Sequence, residues 1–222
     1  LVGAITPCTN PTSTIINNTI SIVAAGNAVV FNPHPTAKRC SNEMVRILDE
    51  AIQSAGGPRH LVTAVAEPTM DTGAALMKHP TIRLLLVTGG GLVVKLAMES
   101  GKKTIAAGPG NPPVIVDDTA NLSHAARSIV DGASFDNNVL CIAEKEIFVF
   151  RSVADRLKEE MTRCGAYEVK GREAEALVAK VLDAHDPKHV VPCRDFVGKD
   201  AAVLLRAVGI TPPPGARLVM IE

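Results

Sequence analysis

The stretch 82-IRLLLVTGGG-91 decides the fold, because a short, strongly apolar run is followed, after Thr88, by three glycines. A continuous apolar run of this length is typical of a strand that is buried on both faces of a parallel sheet. Glycines after such a strand let the backbone approach a ligand, towards which the next helix points its N-terminus. The run does not match G-x-G-x-x-G, and a plain strand-to-helix turn is an equal alternative.

The segments around this stretch repeat the alternation of strand and helix. We predict further strands at 2–6, 28–31, 61–65 and 104–107, with helices at 12–25, 41–55, 71–78 and from the glycines to residue 100. This order indicates an α/β fold with a mostly parallel sheet, in which ligands bind where the strands end.

The pattern changes at 108-GPGNPPVIVDD-118, a Gly/Pro-rich segment that leads into a strand. We place a domain boundary at 108–113, which gives a first domain at 1–110 and a second at 111–222. The second domain is predicted to hold helices and strands at 121–130, 146–150, 153–161, 173–182, 200–208 and 217–221. The strand at 217–221 has no evident partner, and both chain ends read as cuts through a larger protein.

Composition argues against several classes of partner. The chain has 222 residues, formal net charge +0 and only 3% aromatic residues, so neither nucleic acid nor an acidic membrane is expected to bind. No apolar window is long enough to span a membrane, because Asn and Gly interrupt each one. The cysteines are odd in number and form no C-x-x-C pair, which predicts reduced thiols in the cytoplasm. No metal site is expected, because Pro187 lies between His185 and His189.

The stretch 134-SFDNNVLCIAEKE-146 contains the most suggestive cysteine, Cys141. A free thiol has a pKa of ~8.5, and most intracellular cysteines are inert small residues. Cys141 differs because Asp136, Asn137 and Asn138 favour turns and local side-chain hydrogen bonds. They predict a constrained loop that presents Cys141.

Two further polar residues lie beside prolines in predicted turns. Asn10, in 7-PCTNPT-12, has an amide that can donate to an oxyanion, although an ordinary turn asparagine fits the residues better. His34, in 32-NPHP-35, is fixed on a rigid loop where it can contact a ribose or a phosphate. A solvated loop histidine is an equal reading of His34.

Five segments, taken in order, resemble the aldehyde dehydrogenase superfamily, most closely its CoA-acylating branch of propanediol and ethanolamine utilisation. They are 6-TPCTNPT-12, 25-AGNAVVFNPHPTAK-38, 85-LLVTGG-90, 106-AAGPGNPPVIVDDTA-120 and 132-GASFDNNVLCIAEK-145. The resemblance implies a Rossmann-type cofactor domain that binds dinucleotide and CoA, followed by an α/β catalytic domain.

The resemblance also implies roles for single residues. Cys141 corresponds to the nucleophile, and Asn10 lies in the segment that holds the oxyanion asparagine. The turn beside the nicotinamide dinucleotide corresponds to Thr88, Gly89 and Gly90. The loop that contacts the adenosine part of the cofactor corresponds to Pro33 and His34.

Two departures from the hydrolytic members affect the expected chemistry. After the second strand, 32-NPHP-35 lacks the lysine and glutamate that grip the adenine ribose, so CoA is expected to share a looser site. In 106-AAGPGNPP-113 the glutamate that activates water is absent. A thiol ionises far more readily than water, so transfer of the acyl group to CoA is favoured.

The resemblance therefore implies NAD-dependent oxidation of propanal or acetaldehyde to acyl-CoA through a cysteine thioester. It also implies a homo-oligomer at full length and a place in the cytoplasm or in a bacterial microcompartment lumen, with shell or cargo contacts. Two alternatives stay open: a thioester-forming reductase of an activated acyl group, and a catalytically silent fragment that acts as an interaction module.

Overall fold

A five-stranded parallel sheet is the centre of the first unit in the computed structural model, which describes residues 1–183 and 190–222. The two units of the chain are Leu1–Pro109 and Gly110–Glu222. The strands of the first unit are β1 (Val2–Thr6), β2 (Val29–Pro33), β3 (Val62–Ala64), β4 (Leu84–Thr88) and β5 (Lys103–Ala107). They lie in the order β3-β2-β1-β4-β5, and all neighbours are parallel. The prediction of an α/β fold with a parallel sheet is confirmed.

Helices cover both faces of this sheet. They are α1 (Pro11–Ala24), α2 (Lys38–Ser54), α3 (Met70–Lys78) and α4 (Gly91–Met98), and a 3-10 turn at Pro35–Ala37 precedes α2. On one face, α1 and α2 pack around the buried Phe31 and Ile15. On the other, α3 and α4 pack around Leu85, which is fully buried. Burial on both faces explains why β4 is apolar at every position except its last.

The described residues of the second unit form three pairs of short strands. β6 (Pro113–Val116) and β7 (Glu146–Val149) are parallel, as are β8 (Ala166–Val169) and β11 (Leu218–Ile221), whereas β9 (Leu182–Asp183) and β10 (Val191–Pro192) are antiparallel. The helices are α5 (Leu122–Ser134), α6 (Arg151–Arg163), α7 (Gly171–Val181) and α8 (Ala201–Ala207), and a 3-10 segment, Phe135–Asn138, follows α5. Val130, Leu157 and Met161 form the centre of the larger apolar cluster, to which α5 and α6 contribute.

The strand at 217–221 has a partner, contrary to the prediction. β11 pairs with β8, so that Leu218 lies beside Ala166 and Ile221 beside Val169. The strand β8 was missed because it has only four residues and places the charged Glu168 within its apolar run. Hydrogen bonds from Lys170 and Lys158 stabilise the Glu168 carboxylate and lower its pKa.

Within the described residues, no helix is long and apolar enough to cross a membrane. The same part of the chain has no group of three or more His, Cys, Asp or Glu side chains placed to hold a metal ion. The histidine pair His185 and His189, considered above for zinc, lies outside the described residues.

Candidate active site

A cleft of about 500 Å³ opens in the first unit at the carboxyl ends of β1, β2 and β4. The winding of the sheet reverses at β1, because β2 and β3 lie on one side of it and β4 and β5 on the other. The helices that follow β1 and β4 therefore leave on opposite faces. Open α/β sheets bind their ligands in the crevice that forms at such a reversal.

The structure brings all five predicted cofactor residues together along this cleft. Pro33 ends β2 and His34 follows it, while Thr88 ends β4 and is followed by Gly89 and Gly90. The parallel register places these two strand ends at the same edge of the sheet. Their contact with a cofactor remains a prediction.

The turn after β4 fits the pyrophosphate of a dinucleotide. Gly90 is the N-cap of α4 and offers no side chain to the first helical N–H groups. A Cβ built at Gly90 meets nothing within 4 Å, so the backbone is open there. Free N–H groups at a helix N-terminus attract negative charge. We therefore expect Gly89 and Gly90 to hold the cofactor, which supplies the hydride acceptor when it is bound.

His34 has a structural partner in addition to its place in the cleft. Its Nδ1 accepts the Thr36 N–H at 3.3 Å and lies 2.8 Å from the Thr36 hydroxyl. With Nδ1 as acceptor, the proton of the neutral ring is on Nε2. His34 thus caps the 3-10 turn and keeps one N–H donor that these contacts do not use.

Asn10 lies at the start of α1 and is not among the residues that line the cleft. It occupies the N-cap position, yet its side chain makes no capping hydrogen bond. Its carbonyl instead accepts the hydroxyl of Thr14 at 2.6 Å. The half-buried amide is therefore available to a ligand, and its oxyanion role remains a prediction.

Thr6, the last residue of β1, is a cleft residue that the sequence reasoning missed. It is 1% exposed, and its Oγ1 has no hydrogen-bond partner within the described residues. An unpaired buried hydroxyl is unfavourable, so a polar ligand group at this strand end would stabilise it. The available signal was a single hydroxyl that ends the apolar strand 2-VGAIT-6.

Cys141 is exposed on a turn of the second unit. The Ala143 N–H donates to the Leu140 carbonyl at 3.2 Å and closes this turn, in which Cys141 holds the second position. Among the hydrogen bonds between described residues, none uses the Cys141 N–H. A thiol can attack a carbonyl, and a free N–H can hold the resulting oxyanion, so both groups of covalent acyl chemistry are present.

The residues before this turn adopt left-handed backbone. The φ angles of Asp136, Asn137 and Asn138 are 48°, 49° and 61°. Such angles cost ordinary residues ~1–2 kcal/mol each, and Asn and Asp accept them most readily. The Asn137 amide compensates by donating to the Gly198 carbonyl at 3.1 Å and to Asp200 Oδ1 at 2.9 Å. The predicted constrained loop agrees with this geometry.

Two further residues hold the turn, and the sequence reasoning missed both. The Lys145 ammonium donates to the Leu140 and Ala143 carbonyls, each at 3.1 Å. Gly110 lies so close that a Cβ there would be 2.6 Å from the Cys141 carbonyl oxygen. A lysine four residues after a candidate nucleophile was the only available signal, and nothing marked Gly110 among neighbouring glycines and prolines.

The two carboxylates that follow Cys141 have other neighbours. Glu146 Oε1 accepts a hydrogen bond from the Asn111 amide at 2.5 Å. The carboxylate of Glu144 lies against Gly132 of α5. In the described part of the chain, no contact places either carboxylate beside the Cys141 thiol as a base.

Comparison with known proteins assigns the family. Residues 1–172 match the model of the aldehyde dehydrogenase family, and the chain belongs to that family. The acetylating acetaldehyde dehydrogenase of Bilophila wadsworthia is 47% identical over 100% of this chain and 47% of the relative. The CoA-propanoylating propanal dehydrogenase of Salmonella typhimurium is 44% identical over 100% of this chain and 47% of the relative. The chain thus spans about half the length of the curated relatives it matches.

Solved structures agree with this assignment. Propionaldehyde dehydrogenase of Rhodopseudomonas palustris, with bound CoA and an acylated cysteine, has a TM-score of 0.89 and 44% identity over 100% of this chain and 50% of that chain. The propionaldehyde dehydrogenase of the Clostridium phytofermentans fucose utilisation bacterial microcompartment has a TM-score of 0.90 and 45% identity, with the same coverage. The predicted resemblance to CoA-acylating members is confirmed.

Proposed function

We propose that the protein oxidises a short-chain aldehyde, propanal or acetaldehyde, to acyl-CoA with NAD as the hydride acceptor. The first unit binds the dinucleotide and CoA, and the second carries the nucleophile Cys141. The names of the relatives support this reaction, since they are acetylating or CoA-propanoylating dehydrogenases. The cleft at the strand ends supports a dinucleotide, and the free Cys141 N–H supports covalent acyl chemistry.

The chemistry of the chain's own residues follows from these groups. The Cys141 thiolate attacks the aldehyde carbon, and the Cys141 N–H and the Asn10 amide hold the oxyanion. Each such donor is typically worth ~3–4 kcal/mol. After loss of hydride the acyl group is a thioester on Cys141. The thiol of CoA then takes the acyl group and releases the Cys141 thiolate, so aldehyde, NAD and CoA give acyl-CoA, NADH and one proton.

One observation carries the choice of CoA over water. Gly110, in 106-AAGPGNPP-113, lies against the Cys141 carbonyl, and this segment contains no carboxylate. Glu144 and Glu146 have the other neighbours described above. With no carboxylate of the described residues placed as a base beside the thioester, water is a poor nucleophile, whereas a thiol needs little activation.

Assembly and location are parts of the same proposal. The full-length protein is a homo-oligomer that works in the cytoplasm or in the lumen of a bacterial microcompartment, where it contacts shell or cargo proteins. A similar solved structure comes from a fucose utilisation microcompartment, which supports this location.

The experiment follows NADH formation by the full-length protein with propanal and NAD, with and without CoA. We expect turnover that depends on CoA, with propanoyl-CoA as product. A rate indifferent to CoA, with free acid as product, contradicts the proposal. Acyl phosphate with NADH tests the reductase alternative.

The nucleophile is tested by Cys141→Ser, with Cys40→Ser as its matched control, because Cys40 is also exposed but lies on α2. Loss of a covalent nucleophile is expected to lower the rate by roughly 10³-fold or more, while the control keeps normal activity. Iodoacetamide at neutral pH should alkylate Cys141 ahead of the other cysteines. If Cys141→Ser retains most of its activity, Cys141 is not the nucleophile.

A further inference from the structure

We infer that Asn138 is a positioning residue that fixes the turn bearing Cys141. The inference rests on the proposed function, in which Cys141 is the nucleophile. Asn138 touches neither the thiol nor its N–H in any hydrogen bond between described residues. It acts instead on the two ends of the loop that carries them.

The Asn138 amide bridges the beginning and the end of this loop. Its Nδ2 donates to the Ala133 carbonyl at 2.7 Å and to the Glu144 carbonyl at 3.0 Å. Ala133 is buried in the last turn of α5, where the carbonyls lack helical partners. Glu144 lies just before β7. One side chain therefore connects the end of a core helix to the start of a strand, with Cys141 between them.

Asparagine is suited to this position for two reasons. Its φ of 61° is a backbone conformation that few other residues accept. Its amide has two N–H groups, and both are used on carbonyl oxygens. Aspartate has the same shape but no donor when ionised, and glycine accepts the backbone angle but has no amide. Substitution of Asn138 by aspartate or by glycine therefore distinguishes the effect of the amide hydrogen bonds from the effect of the backbone conformation.

Loss of the bridge is expected to move the turn rather than to unfold the unit. Lys145 and the Leu140–Ala143 turn still hold the loop locally. The hydrogen bond from the loop to the Ala133 carbonyl of α5 would be lost, so the thiol and the oxyanion N–H could both shift. A displacement of ~1 Å at a reacting group costs about 10²-fold in rate.

The experiment compares Asn138→Gly, Asn138→Asp and Asn138→Ala in the full-length protein. Asn137→Gly is the matched control, because Asn137 is also left-handed and also makes two amide hydrogen bonds, but to Gly198 and Asp200. For each variant we would measure kcat, the KM for NAD, the rate constant for alkylation of Cys141 and Tm.

We expect all three Asn138 variants to lower kcat by roughly 10–100-fold, with little change in the KM for NAD. Alkylation of Cys141 should change in rate in all three, whereas Asn137→Gly should stay within about threefold of the parent kcat. Asn138→Gly should have the higher Tm of the glycine and alanine pair, because only alanine is strained at this φ. Two results overturn the positioning role. In the first, Asn138→Gly has both a higher Tm than Asn138→Ala and the kcat of the parent protein. In the second, kcat is unchanged in all three Asn138 variants.

Failure of the proposed function has a different signature. If Cys141→Ser keeps its activity, the nucleophile assignment falls, whatever the Asn138 variants do. If Cys141 is essential and Asn138→Gly behaves like the parent protein, only the positioning role falls.

Discussion

The cleft of the first unit and the Cys141 turn of the second are built in different ways. The cleft is shaped by backbone, since its edge consists of strand ends in fixed register and of glycines with open space around them. The turn is shaped by polar side chains, because Asn138 and Lys145 donate hydrogen bonds to carbonyls at its two ends and within it. We therefore expect the cleft to be sensitive to added atoms and the turn to be sensitive to lost hydrogen bonds.

Among the variants that test this comparison, Asn10→Ala is expected to have the largest effect, and it tests whether the first unit contributes to chemistry as well as to binding. Loss of one oxyanion donor lowers kcat by roughly 10²–10³-fold. Stability should change little, because the Asn10 side chain makes no capping bond. Steady-state kinetics with CoA give the result, and Asn17→Ala, at an exposed position of α1, is the control. An unchanged kcat would confine the chemistry to the second unit.

Gly110→Ala tests whether the turn is also sensitive to added atoms. The new Cβ would be 2.6 Å from the Cys141 carbonyl oxygen, so backbone has to move. We expect a loss of about 1–3 kcal/mol in the free energy of unfolding and a kcat reduced by roughly tenfold. In the control, Gly108→Ala, the nearest atom is at 3.9 Å. Equal behaviour of the two variants in urea unfolding and kinetics would argue against the close approach.

Gly90→Ala tests the cleft in the same way, but without a clash inside the protein. Nothing lies within 4 Å of the new Cβ, so the free energy of unfolding should not fall. The methyl group would meet the cofactor, and a rise of about tenfold in the KM for NAD corresponds to about 1.4 kcal/mol of binding. Gly91→Ala is the control, since Gly91 has equally open space but does not line the cleft. Matching KM values in titrations of both variants would place the cofactor elsewhere.

The smallest effect is expected for Glu168→Gln. Glu168 lies in neither the cleft nor the Cys141 turn, so this variant shows how large an effect to expect outside both regions. Hydrogen bonds from Lys170 and Lys158 lower the Glu168 pKa in the folded state. The ion pairs therefore stabilise fully above the unfolded pKa of glutamate, and their contribution is lost as pH falls through the folded value. We expect a loss of about 1 kcal/mol at pH 7 that becomes smaller at an acidic pH below the ordinary pKa of glutamate, with kcat unchanged.

Urea unfolding of Glu168→Gln at both pH values measures this difference. Glu159→Gln, at an exposed position of α6, is the control and should show no such dependence on pH. A loss of equal size at both pH values would mean that charge is not the cause.

The first sheet could be predicted from the sequence because its strands are buried on both faces. Runs such as 84-LLLV-87 have no polar residue, and glycines follow one residue later, so element type and order along the chain are both visible. β8 could not be predicted, because Glu168 interrupts its pattern and its partner β11 is far away in sequence. The same holds for the two-residue strands β9 and β10, which are too short to show any period.

The candidate site divides in the same way. The family resemblance assigned Pro33, His34 and the glycines after β4 to the cofactor, and the structure brings these residues together along one cleft. The contacts of Asn138, Lys145 and Gly110 depend on where a loop returns to itself. Contacts of this kind produce no periodic pattern in the sequence, so only the three-dimensional structure identifies them.

The pairing of β8 with β11 has a consequence for biosynthesis. Strands β1 to β5 have all been synthesised once residue 107 has been added, whereas β8 lacks its partner β11 until residue 221 has emerged. Ribosomes add ~5–20 residues per second, and contacts between distant segments form slowly. Strands β1 to β5 can therefore pair several seconds before β8 meets β11, and the cleft at their carboxyl ends can form before this pairing in the second unit.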